Sequence, residues 1–243
     1  MTVAGHLNEL RRRLFWIAAA FIGASLVCFL FIEKFVELAL AMSPGFSFVY
    51  LAPSELFTSY LKLAFVLGFV FSSPFILWQI WAFVQPGLTE EEGKSALSAI
   101  VAGFVFFLLG ALFCFLVVLP ITLQFFYNFN GSTEITASIS FNNYMNFILG
   151  MVVAFGIVFE MPVLSFLMAR LGLLKPEWLV SARKYAILLV FIVAAVITPP
   201  DVVSQLMTAV PMLVLYEISI FVSRRAYKER KKEDEDEDSL AEV

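Results

Sequence analysis

Apolar residues along the chain gather into six long runs, Leu14–Ile32, Tyr60–Phe83, Leu97–Phe126, Tyr144–Leu171, Tyr185–Thr198 and Val202–Val222, and most charged positions fall between them. None of the runs alternates apolar with polar residues as a half-buried strand does, so each predicts a helix. The chain therefore reads as an all-α integral membrane protein with six transmembrane helices. A helix rising 1.5 Å per residue needs roughly 20 residues to cross about 30 Å of hydrocarbon, and most of the runs reach that length. The fifth does not: its 14 residues extend only about 21 Å, so it either thins the bilayer locally or leaves a vestibule on one side. Pro74, Pro120, Pro162 and Pro211 lie inside or near the ends of runs two, three, four and six. Each removes a backbone donor, which predicts kinked and tilted helices rather than a straight bundle.

The basic residues decide the orientation. Fourteen of the 16 Lys and Arg fall on one side of a six-span path, namely Arg11 to Arg13, Lys94, Arg170, Lys175, Arg183, Lys184 and the six from Arg224 to Lys232, with only Lys34 and Lys62 opposite. The positive-inside rule then predicts that both termini are cytoplasmic. The outer side would carry one longer connection (residues 33–59), a second (residues 127–143) and a tight turn at Thr198-Pro199-Pro200-Asp201, with no long soluble domain. Arg11-Arg12-Arg13 followed by an apolar run resembles a signal peptide, but that run is longer than an h-region of about 7–15 residues. The cleavage-like Ala41 also lies well past its end, so the run is expected to be retained as the first span. There is no internal repeat to support an inverted-repeat carrier.

Composition sharpens this reading. A hydrophobic fraction of 61%, a mean hydropathy of +0.90 and 28 Phe among 243 residues exceed what a water-soluble core requires, so the surplus faces lipid. The formal net charge of −4 misleads, because residues 233–243 hold seven acids and no base, and without them the chain stands at +3. The chain ahead of the acidic run is thus mildly basic; residues 1–223 read as the six-span membrane domain, and residues 224–243 read as a charged, disordered cytoplasmic tail. Cys28 and Cys114 sit inside apolar runs as small hydrophobes rather than as a disulfide or thiol metal site. His6 is the only histidine, which excludes an imidazole relay or metal centre. No phosphate-binding loop, hydrolase elbow or zincin helix is present, so no cofactor and no enzymatic step is expected, and any energy source is external.

A few polar positions are out of keeping with this apolar background. His6-Leu7-Asn8-Glu9-Leu10-Arg11-Arg12-Arg13-Leu14-Phe15 places Leu7, Leu10 and Leu14 on one face, which predicts an amphipathic helix at the cytoplasmic interface before the first span. In the first inner loop, Thr89 and Glu92 fit a capping box that opens the third span. That leaves Glu90 and Glu91, which either complement the helix dipole or help form a receptor for guanidinium groups, which pair with carboxylates in a bidentate way. Glu160 lies within the fourth run, where a lone ionised acid costs about 2.5–3.5 kcal/mol on insertion scales. It is either satisfied by a neighbouring helix or by the backbone that Pro162 disturbs, or it is a functional group. Glu217 can reach the interface, with Arg224-Arg225 about two turns away. Asp201 and Gln205 open the sixth run in the ordinary manner of a helix N-terminus.

Taken together, several stretches resemble the TatC family, the multispanning core of the twin-arginine protein translocase. They are His6 to Leu14, Leu51 to Phe57, the inner-loop segment from Ser72 to Glu92, Phe155 to Leu164, Arg183 to Tyr185, and Thr198 to Ile220. The resemblance covers the chain apart from the acidic tail and implies a six-span, concave, glove-like receptor in the bacterial cytoplasmic membrane. Such a receptor binds twin-arginine signal peptides, recruits single-span partner subunits, self-associates in lipid and exports folded proteins on the protonmotive force, with no role for nucleic acid. By that resemblance Glu9, Arg11, Phe83, Pro86, Leu88 and Glu92 form the signal-peptide site. Glu160 and Gln205 are intramembrane polar positions that meet partners, and Pro53 and Asp201 are outer-side positions. Family members usually follow the first-loop glutamate with basic residues, whereas here Gly93 precedes Lys94 and two more acids precede Glu92, so Glu90 and Glu91 share its candidate role.

The competing function is a proton-coupled small-solute transporter with Glu160 as its titrating group. A single midplane acid, the lack of a histidine relay and the absence of a repeat weigh against it.

Overall fold

The computed structural model describes residues 3–43, 45–85, 90–129, 138–199 and 201–241, and the side chains of these apart from residues 3–4, 84, 90–96 and 232–241. Nine α-helices dominate the described residues: α1 (Val3–Leu30), α2 (Ile32–Leu40), α3 (Pro53–Val84), α4 (Glu90–Phe113), α5 (Leu119–Phe129), α6 (Phe141–Arg170), α7 (Pro176–Ser181), α8 (Arg183–Ile197) and α9 (Val202–Ala241). Five helical runs, residues 5–30, 53–83, 97–129, 141–170 and 202–231, are long and apolar enough to cross a membrane. The short fifth span is α8, with 15 residues. The protein is an all-helical membrane protein. About half of the apolar window of α6 is buried within the protein against 11% of that of α1, so α6 is a core helix while α1 turns most of its apolar surface outward.

Helices outrun the apolar runs because backbone hydrogen bonding does not stop where the hydrocarbon does. The segment from His6 to Leu14, expected as a separate interfacial helix, forms the first turns of α1, since no Gly or Pro separates it from the span. Pro53 sits in the first turn of α3, where a missing N–H costs nothing, and the Glu55 carboxylate reaches back to the Leu51 amide at 2.8 Å. At Pro74 the Val70 carbonyl loses its usual donor, and the Ser73 hydroxyl replaces it at 2.6 Å. Ahead of Pro120 the chain widens into one π-helical turn, Cys114–Val118, in which the Leu119 amide bonds the Cys114 carbonyl. That turn is how the third span absorbs its proline. Residues 224–241, which read as a disordered tail, continue α9 as helix; this stretch of Arg, Lys, Glu and Asp contains no Gly or Pro.

The chain divides into two compact units, residues 1–88 with 111–154, and residues 89–110 with 155–243. In the first, α1 lies along α3, with Gly68 facing the backbone of Ser25. The 33–59 connection is more ordered than its sequence suggests: α2 buries Ile32, Val36 and Ala39, and Tyr144 of α6 donates to the Ala39 carbonyl at 2.8 Å. A parallel pair of three-residue strands, β1 (Ser47–Val49) and β2 (Ser138–Ser140), aligns Ser47 with Ser138 and Val49 with Ser140. Lys62, near the start of the second apolar run, donates to the side-chain carbonyls of Asn142 (3.3 Å) and Asn146 (2.9 Å), so this exposed cation is held by amide dipoles of α6. In the second unit, α8 and α9 form a hairpin, and Tyr216 donates to the Leu179 carbonyl of α7 at 2.7 Å.

Candidate functional site

Polar groups cluster where the first turns of α1 meet the last turns of α3. Glu9 and Arg13 are one helical turn apart, and Arg13 donates to Glu9 Oε1 from Nε (3.1 Å) and from Nη2 (2.5 Å). The same guanidinium donates through Nη1 to Gln79 Oε1 of α3 at 3.1 Å. One turn earlier, His6 stacks on Phe83 with ring centroids 4.3 Å apart. The Glu9 carboxylate is thus fixed through a guanidinium braced on a second helix, and both of its Arg13 bonds fall on Oε1. An acid held in this way has lone pairs left for a further cation.

Of the sequence-predicted residues at this site, Glu9 and Phe83 are brought to the same helix pair and Arg11 is exposed on α1. Pro86 and Leu88 lie outside the described residues, as does the Thr89 cap, and Glu90, Glu91 and Glu92 are described only as backbone at the start of α4. His6, Arg13 and Gln79 were not singled out from the sequence. The four-residue spacing of Glu9 and Arg13 and the lone amide in the Trp78–Trp81 stretch were the available signals.

A second polar position lies within the membrane-spanning part of the other unit. Glu160 on α6 is half-buried, and its carboxylate rests against Gly103 of α4, so that a Cβ on Gly103 would stand 2.8 Å from Oε2. Among the described residues no donor bonds it, and no group of His, Cys, Asp and Glu is arranged to hold a metal ion. The nearby α4, α6 and α9 line an apolar cavity of about 370 Å³ that includes Ala102, Pro162, Val163 and Ile218. Gln205 of α9 donates to the Phe191 carbonyl of α8 at 3.0 Å. Asp201 caps α9, accepting the Ser204 amide at 2.8 Å and the Ser204 hydroxyl. Glu217 pairs with Arg183 at 2.7 Å rather than reaching toward Arg224 and Arg225, because the short hairpin returns α9 past the start of α8.

The family model for TatC, the Sec-independent protein translocase protein, matches residues 5–211. The chain belongs to the TatC family. It is 38% identical to the TatC protein of Carboxydothermus hydrogenoformans, over 92% of this chain and 93% of that one. It is 37% identical to the TatC protein of Aquifex aeolicus, over 95% and 98% respectively. A crystal structure of the twin-arginine translocase receptor TatC superposes with a TM-score of 0.81 at 38% identity, covering 91% of this chain and 99% of that one. TatC membership decides between the two functional readings: the chain is a core component of the Tat translocase and not a small-solute carrier.

Proposed function

We propose that this TatC protein is the receptor for twin-arginine signal peptides, with Glu9, Arg11 and Phe83 at the receiving face and Pro86, Leu88 and Glu92 completing it by family resemblance. The observation that carries the reading is the Glu9 carboxylate held by Arg13, whose guanidinium is itself braced on Gln79. With Oε1 taken by Arg13, the pre-positioned Oε2 gives a second guanidinium an ordered acceptor without first ordering a free side chain. An exposed ion pair alone is worth about 0–1 kcal/mol, so the apolar stretch of the peptide must supply the remaining affinity. In the cell this face is cytoplasmic and the chain lies in the bacterial inner membrane with both termini inside, which agrees with 14 of the 16 basic residues falling on one side. Glu160 and Gln205 serve contact with single-span partner subunits. Glu160 supports this role because it is a half-buried acid lacking a donor among the described residues. Transport runs on the protonmotive force with no bond-making step in this chain.

Site-specific crosslinking from positions around Glu9 and Glu92 tests the receptor reading, with a twin-arginine peptide against a twin-lysine control. Preferential labelling by the twin-arginine peptide, lost in Glu9→Ala, is expected; equal labelling by both peptides refutes it.

A further inference from the structure

Two glycines of α4 that lie two turns apart, Gly103 and Gly110, both face α6 at distances too short for a side chain, but they meet different atoms. A Cβ on Gly110 would lie 2.6 Å from the Phe155 carbonyl oxygen and 2.7 Å from Phe159 Cβ, so the α6 backbone itself would have to move. A Cβ on Gly156 of α6 would lie 2.6 Å from the Phe107 ring of α4, a side chain rather than backbone, so Gly110 is the position where the two helices themselves come close. At Gly103 the three nearest atoms all belong to the Glu160 carboxyl group: Oε2 at 2.8 Å, and Cδ and Oε1 at 3.5 Å. The backbone there leaves room for a methyl group, and the only thing in its way is the far end of a flexible acid.

Helix packing therefore does not demand glycine at position 103, and glycine is a poor choice inside a helix, where Ala is the best former. Its presence gives the Glu160 carboxylate a bare stretch of backbone to lie against, which confines one oxygen to the α4 surface. The other is left to receive a donor. We propose that Gly103 is a positioning residue for Glu160: it fixes where the intramembrane carboxylate presents itself to a hydrogen-bond donor on a partner helix. The inference rests on the reading of Glu160 as a partner contact.

The test uses the full chain in membranes with its single-span partner subunits and reads three quantities: folded yield, signal-peptide crosslinking near Glu9, and copurification of the partners. Gly103→Ala is expected to fold as well as the parent chain and to crosslink the peptide normally, because only Glu160 must move. Partner copurification should drop to the level of Glu160→Ala, with no further loss in the Gly103→Ala/Glu160→Ala double variant. Shortening the acid while filling the slot, in Gly103→Ala/Glu160→Asp, should recover part of that loss. A purely structural glycine predicts no such recovery. Parent-level copurification in Gly103→Ala, with Glu160→Ala impaired, would overturn the positioning role and leave the Glu160 reading standing. Parent-level copurification in Glu160→Ala would remove both. Failure of Gly103→Ala to fold would also overturn the inference, since it would make the glycine a packing requirement like Gly110.

Discussion

Gly68→Ala probes the helix pair that carries Glu9 and Phe83. A Cβ at position 68 would meet the Ser25 hydroxyl and lie 2.7 Å from Ser25 Cα and 2.8 Å from its amide nitrogen. Ordinary contact begins at 3.4 Å, so α1 and α3 must separate by about 0.7 Å at this level. Overpacking of this kind costs about 1–3 kcal/mol, and a gap of that width forfeits a quarter to a half of the local dispersion attraction. The helix preference of Ala over Gly returns about 1 kcal/mol. The balance is a net loss of about 1 kcal/mol, roughly a 5-fold shift in the unfolding equilibrium. Equilibrium unfolding in mixed micelles, followed by circular dichroism, measures it directly. Two of the three clashing atoms are backbone, so Ser25→Ala should not rescue the variant. Parent-like or higher stability in Gly68→Ala, or full recovery in the Gly68→Ala/Ser25→Ala pair, would refute the close backbone approach.

Two further outcomes are expected. Tyr144→Phe removes the hydroxyl that bonds the Ala39 carbonyl, and leaving that buried acceptor unpaired should cost about 1–3 kcal/mol in the same unfolding assay; no change would mean that α2 is not anchored there. Gln205→Ala removes the bond to the Phe191 carbonyl, and because interhelical hydrogen bonds in membranes average about 0.6 kcal/mol, stability should change by less than about 1 kcal/mol while transport falls. A stability loss large enough to account for the transport defect would make Gln205 a structural staple rather than a partner contact.

The hairpin of α8 and α9 shows how far a local reading reaches. Its short fifth helix followed from counting apolar residues, and Asp201 was legible as the start of the next helix because a cap acts within its own first turn. Glu217 was not assignable, since its two candidate partners lie on different stretches of chain and only the return of α9 past Arg183 selects between them. The same holds for Gln79, which in sequence is one amide among aromatic residues and in the fold braces Arg13 across two helices. The strand pair β1 and β2 left no trace, because three residues are too few to establish a period of two.

Sequence alone determined the quantities that depend on near neighbours or on sums along the chain: the number of spans, the side on which basic residues gather along a six-span path, the helix start at Asp201, and the acids that do not belong in lipid. Tertiary structure alone decided which side chains meet across helices. It placed His6 on Phe83, Arg13 between Glu9 and Gln79, and the Glu160 carboxylate on Gly103. The reason is geometric: a helix presents a different face every 100° or so, and which face meets a neighbour depends on how closely the two axes approach, a distance set here by glycines whose partners lie far away along the chain.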